Sequence, residues 1–373
     1  MISVFSVYLS MGMILGVLPT YIRGNLGFST VIVGLAIGLQ SLATLLTRAY
    51  AGKIKDTQGG KQSNNLGAVL MLLTGFLYLV CTFCGSNFIL ALVFILLARI
   101  VHGVSESVLI TGSLAWAIDL AGEKQSGKVM MWNGIAIYAG IAAGAPFGIA
   151  LKNSIGIGSV FTGIIFLAIL CYAAPYKLPS PKVDTSYIRT SFRKVVGKVA
   201  SAGGGLAFSS IGFACISSFI SLLFVQKNWG NPSAAFLAFG GFFILARLLF
   251  ASFPDKYGGY KVTFVSLIVE IAGLLVIAFS SIELMAVIGC GLTGIGFSLI
   301  FPALGVLAIK RVAPQMRGTA LGAYDAFFDI SLGIAGPIAG VIAGWYNYQA
   351  VYLFGVVSCL LAILTLMFQR KAI

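Results

Sequence analysis

From Met1 onward, apolar runs of about 20 residues follow one another with only short polar breaks. A run of that length and polarity is the signature of a helix crossing a bilayer. Twelve spans are predicted, near 2–22, 29–50, 65–84, 87–108, 130–151, 157–174, 203–225, 232–252, 262–280, 284–308, 319–342 and 347–368. The fourth is expected to continue as a helix to about Leu120. With 59% hydrophobic and 9% charged residues, the chain cannot be an ordinary soluble domain. Its short connections leave no room for a separate soluble domain. The first span has no leading charge and is followed by many more, which argues against a cleaved signal peptide. Six cysteines lack CxxC spacing, and Cys81, Cys171, Cys215 and Cys359 fall inside apolar spans. They read as small core side chains rather than a disulfide framework.

The net charge of +14 does not point to nucleic acid, because the basic residues sit between spans. The loops after spans 2, 4, 6, 8 and 10, with the C-terminal tail, hold eighteen of the twenty-four Lys and Arg. The opposite side has only Arg23, Lys152 and Lys227. Positive charge stays on the cytoplasmic side, so these loops and both termini are expected there. The longest polar stretch, Tyr176 to Lys198, carries six basic residues against the single acid Asp184. It reads as a linker (176–200) between residues 1–175 and 201–373. Within it, Ser191 to Val199 reads either as a basic amphipathic helix on the membrane surface or as plain solvated linker.

The chain repeats itself. Arg48, Asp56 and Gly59 recur as Arg247, Asp255 and Gly258, each 199 residues later. Gly52 and Lys61 complete the first copy, read as a short basic turn between spans 2 and 3. Residues 127–134 align with 318–325 at an offset of 191. Each precedes a glycine-rich span with a proline: Gly140, Gly144, Pro146 and Gly148 in span 5, and Gly333, Gly336, Pro337 and Gly340 in span 11. Two six-span halves in one orientation imply a pseudo-twofold axis along the membrane normal. Such glycines let helices approach closely, either as a seam between the halves or as ordinary packing.

These motifs resemble a known family. Gly52-x-Ile-x-Asp56-x2-Gly59-x-Lys61 resembles the loop 2–3 signature of the major facilitator superfamily. Arg99-Ile-Val-His102-Gly103 resembles its span 4 motif, with histidine where glutamine is common. The span 5 stretch looks like the antiporter-branch motif, departing from it by Ala145 before Pro146. The resemblance covers the whole chain and implies an all-α membrane protein of two pseudo-symmetric six-helix bundles. It also implies a proton antiporter related to bacterial drug- and metabolite-efflux members, including metallophore exporters, in the cytoplasmic membrane.

Charge within the spans points the same way. Arg99 lies roughly 18 Å along span 4. His102 and Glu106 follow on the same face, and a Glu with a cation one or two turns away can alternate between proton and ion pair. Asp325 and Asp329 are one turn apart in span 11 and repel if both are ionised. These five residues are the expected coupling set. Asp56, at the end of span 2, is expected to act as a charge latch with Arg48 or another cation, with Asp255 as its counterpart. Tyr8, Gln40, Asn133, Tyr138, Phe297, Phe301 and Tyr324 are candidate cavity residues, though aromatics at helical spacing also suit packing. The resemblance puts span 9 at the periphery, so Glu270 is expected to pair between helices.

The reading that leads is a proton-coupled exporter of a small molecule, expected to be a monomer in lipid. The same residues allow an importer of a sugar or organic anion, or a non-transporting sensor or assembly factor. An enzyme is not supported: there is one His, no metal-ligand cluster, no nucleophile beside a base and no phosphate-binding loop. No cofactor and no metal are expected.

Overall fold

The structure is a computed structural model that describes residues 1–122, 125–181, 192–309, 312 and 317–371. Among these residues it contains helices and turns and no strand. The helices are α1 (Ile2–Thr20), α2 (Thr30–Gln58), α3 (Gly60–Cys81), α4 (Phe88–Ala121), α5 (Ser126–Ser154) and α6 (Ile157–Ala173). They continue as α7 (Phe192–Gln226), α8 (Ser233–Phe250), the short α9 (Phe253–Tyr257), α10 (Gly259–Ala278), α11 (Glu283–Ile309), α12 (Arg317–Trp345) and α13 (Tyr348–Lys371). Eleven are long and apolar enough to span a membrane, and α6 is a shorter apolar helix. Large apolar side chains such as Leu46, Ile89, Leu248 and Phe368 face outward, as lipid contact requires.

The Arg48–Lys61 segment differs from the turn expected there. α2 runs through Arg48 and Asp56 to Gln58, and the whole reversal happens at Gly59. Gly59 has φ 89°, a region an L side chain rarely enters, and α3 starts at the next residue. The second copy ends the same way at Gly258, with φ 85°. Its approach differs because Pro254 cannot continue α8: the helix stops at Phe250, and α9 restarts with the proline in its first turn.

The predicted start of span 7 also moves. α7 begins at Phe192 rather than 203, so the proposed surface helix forms the first turns of this long helix from Phe192 on. No proline interrupts the stretch, and Val195, Val199, Ala202 and Leu206 form one buried stripe at helical spacing. Residues 182–191, the middle of the expected linker, lie outside the described residues.

Two compact units emerge: residues 1–28 with 36–187, and residues 29–35 with 188–373. In the first unit α1 runs along α5, and α3 lies against α4 and α6. Glycines let α1 and α5 nearly touch: a Cβ on Gly144 would come 2.8 Å from Gly12 Cα, and one on Gly148 would come 2.7 Å from Met13 Cα. The span 5 glycines therefore make a seam inside this unit. Lys61 Nζ donates to the carbonyls of Tyr176 (2.8 Å) and Leu178 (2.7 Å), and Trp116 Nε1 donates to Pro179 O at 2.9 Å. Together they tie the chain leaving α6 to the ends of α3 and α4.

In the second unit α7 contacts α12 and α13, and α10 lies along α11. The first turns of α2 cluster here, where Thr30 Oγ1 donates to Gly340 O at 2.7 Å and Gly34 abuts the Gly336 carbonyl. Gly333 is buried in α12, and Pro337 is half-buried.

Candidate functional site in the first unit

Polar residues at i, i+4 and i+8 make Gln40, Thr44 and Arg48 a single stripe along α2. Glu106 on α4 faces that stripe. Gly103, one turn earlier, brings α4 so close that a Cβ there would strike the Gln40 carbonyl. Glu106 is 8% exposed, and neutral donors hold its carboxylate. Gln40 Nε2 donates to Oε2 at 2.7 Å and Tyr8 of α1 donates its hydroxyl to Oε1 at 3.2 Å. Thr44 Oγ1 lies 3.3 Å from Oε2, with the carbonyls of Gly103 (3.0 Å) and Gln40 (3.1 Å) as competing acceptors for its one proton.

Arg99 is completely buried and turned to another task. Its Nε donates to Ala36 O at 2.8 Å and its Nη2 to Ile37 O at 2.9 Å, stapling α4 to the α2 backbone. No ion pair joins it to Glu106 among the described residues. His102 is also buried and meets Ser10 of α1 through Nε2 at 3.1 Å. The Ser10 hydroxyl also has Val7 O at 2.7 Å as an acceptor, and the direction of its bond with the imidazole follows the tautomer. Its Nδ1 has no partner among the described residues. Three residues predicted on one face of α4 thus engage different residues of two helices, Arg99 on α2, His102 on α1 and Glu106 on both.

The remaining candidates are dispersed. Asp56 is in the last turn of α2, two-fifths exposed, with Lys55 Nζ at 3.5 Å. Asp255 is in the first turn of α9, and the Arg247 guanidinium lies 5.4 Å from the Phe243 ring. Asn133 on α5 is buried with Oδ1 unpartnered among the described residues, and Tyr138 is half-buried one turn later. On α12, Asp329 is buried at 4% exposure, while Asp325 is half-buried.

The second unit repeats the backbone of this site with different side chains. At the pseudo-equivalent position Gly294 abuts the Phe239 carbonyl, as Gly103 abuts that of Gln40. The offsets of 199 and 191 then set Phe239, Phe243, Arg247 and Phe297 against Gln40, Thr44, Arg48 and Glu106. Phe213, Phe239, Phe243, Phe297 and Phe328 form a ring cluster with centroids 5.3–6.3 Å apart. Phe301 and Tyr324 lie beside each other at 5.2 Å, and the Tyr324 hydroxyl donates to Phe301 O at 2.9 Å.

The sequence profile of the Major Facilitator Superfamily matches residues 1–201 and again residues 202–372. The chain belongs to the major facilitator superfamily. It is a multi-pass membrane protein of a transporter family rather than an enzyme. An uncharacterized MFS-type transporter of Salmonella typhimurium is 39% identical over 359 residues, 96% of this chain and 92% of the relative. One from Burkholderia pseudomallei is 40% identical over 372 residues, covering 99% and 91%. Among solved structures, the nucleoside transporter NupG has a TM-score of 0.73 at 15% identity, covering 99% of this chain and 98% of that one. The human organic anion transporter MFSD10 has a TM-score of 0.70 at 15% identity, covering 98% and 97%. At such identity these two carry the fold alone.

Within this superfamily chain, Thr44 and Ser10 join the polar cluster without having been singled out in the sequence. Thr44 had a usable signal, since it stands one turn from both Gln40 and Arg48 in an apolar span. Ser10 had none, being one of several serines in α1.

Proposed function

We propose that the chain is a proton-coupled secondary transporter that exports a small drug-like compound or metabolite by alternating access. Its exchangeable proton resides on Glu106. One observation carries this reading: a nearly buried carboxylate rests on neutral donors from α1 and α2, while the buried arginine of its own helix is committed to backbone carbonyls. Burial opposes charge on Glu106, whereas the donors Gln40 and Tyr8 favour it. Opposed terms of this kind suit a group that must both take and release a proton. Protonation weakens the charge-assisted bonds from Gln40 and Tyr8, so it loosens α1 and α2 from α4 together. Substrate arriving from the cytoplasm competes with the proton for the same carboxylate. Asp329 and Asp325 are the second candidates for coupling, Asp56 and Asp255 the candidates for gating, and Asn133, Tyr138, Phe297, Phe301 and Tyr324 for the cavity.

The distribution of basic loops supports a bacterial cytoplasmic membrane with both termini inside, and the transporter works there as a monomer in lipid. Everted membrane vesicles test the reading, with ethidium and a panel of radiolabelled metabolites as probes. A probe should accumulate when the vesicles respire and leave when a protonophore is added. If no probe accumulates above vesicles lacking the protein, or accumulation survives the protonophore, the proton-driven export reading fails.

A further inference from the structure

Glu270 stands outside every role assigned so far. It lies midway along α10 and is fully buried. Its carboxyl lodges against α7 at Gly212, where a Cβ would come 2.6 Å from Oε1. α11 closes on its backbone at Gly296, where a Cβ would come 2.5 Å from Glu270 N. α13 approaches at Gly355, whose Cβ would meet Gly212 Cα at 3.4 Å. Gly212 thus leaves room for the carboxyl, while Gly296 and Gly355 let α11 and α13 close around α10 and α7.

The groups facing it are few. α7 presents the Cys215 thiol and α13 the Cys359 thiol. Tyr352 of α13 and Cys290 of α11 are likewise fully buried. α10 contributes no other charged residue within two turns. Neither carboxyl oxygen has a hydrogen bond of acceptable geometry among the described residues, and the Tyr352 hydroxyl also lacks one. An ionised carboxylate needs a cation, strong donors or water, and a thiol is only a weak donor. The neutral acid suits the place, because its O–H can donate to a sulfur while its carbonyl oxygen needs no counter-charge.

We propose that Glu270 is a proton-binding site of the second unit, held as the neutral acid between α7, α10, α11 and α13. It is independent of the Glu106 cluster and of the reading given to that cluster. Ionising it would require water to enter past the glycine contacts, so the bound proton also keeps these four helices closed.

Infrared difference spectroscopy of the protein reconstituted in lipid tests this directly. At neutral pH the wild type should show a protonated-carboxyl C=O band that shifts in D2O and disappears in Glu270→Gln. Glu106→Gln should leave that band in place, which separates this site from the transport reading. A Glu270→Gln difference spectrum that loses carboxylate bands instead would overturn the proposal. Should Glu270→Gln fail to elute as a monodisperse protein, Glu270→Asp keeps the acid and must move the same band. An unmoved band in that variant equally refutes the assignment.

Discussion

Glu106 and Arg99 lie two turns apart on α4, yet they do separate work, and their variants should diverge. Glu106→Gln keeps shape and hydrogen bonding at nearly constant volume. It should abolish uphill transport in everted vesicles while downhill exchange of the same probe remains measurable. Retention of wild-type accumulation and pH dependence would remove Glu106 from the coupling reading. Arg99→Ala deletes two charge-assisted bonds to the α2 backbone, a loss on the order of 1–3 kcal/mol. Both activities should fall, with a lower melting temperature in detergent; an unchanged melting temperature would contradict the staple. The sequence brought Tyr8, Gln40 and Glu106 forward one by one, but not their meeting. Helical geometry fixes which side chains of α4 share an arc. It does not say that α1 lies on one side of that arc and α2 on the other, so the partners of Arg99, His102 and Glu106 were illegible.

At the level of elements, hydropathy located the helices well and their ends poorly. The polar start of α7 and the charged end of α2 are helical because nothing in them stops a helix, whereas polarity alone suggested a linker and a turn. The stops that do exist are backbone stops, Gly59 and Gly258 with positive φ and Pro254 before α9. Packing between elements depends on glycine where helices cross closely. Gly144→Val should push α1 off α5, because a Cβ there already meets the α1 backbone; overpacking of this kind costs about 1–3 kcal/mol. Gly134→Ala on the same helix meets nothing within 4 Å and serves as the control. Thermal unfolding followed by size-exclusion chromatography should lower the first variant and leave the second near wild type. Equal melting temperatures for the two would argue against a close α1–α5 seam.

At the scale of the whole chain, the repeat is the feature most open to test. Its two copies share a turn geometry, Gly59 and Gly258, but their side chains have parted: a carboxylate with amide and hydroxyl partners in one, phenylalanines in the other. Six helices, α3 to α8, lie between the two turns besides the short α9 among the described residues. An even number of crossings returns the chain to the face it left, so Asp56 and Asp255 should share one side of the membrane. On positive-inside bias that side is expected to be the cytoplasm, and Lys227, one crossing before Asp255, is expected outside. In a cysteine-free background, Asp56→Cys and Asp255→Cys should react with an impermeant maleimide in everted vesicles and stay protected in intact cells. Lys227→Cys should behave the opposite way. Labelling of Asp56→Cys and Asp255→Cys from opposite faces would break the parallel repeat and the orientation together. If the pair agrees but Lys227→Cys reacts from the same face, α8 does not cross and one of α3 to α7 must fail to cross as well, which overturns the six-span halves.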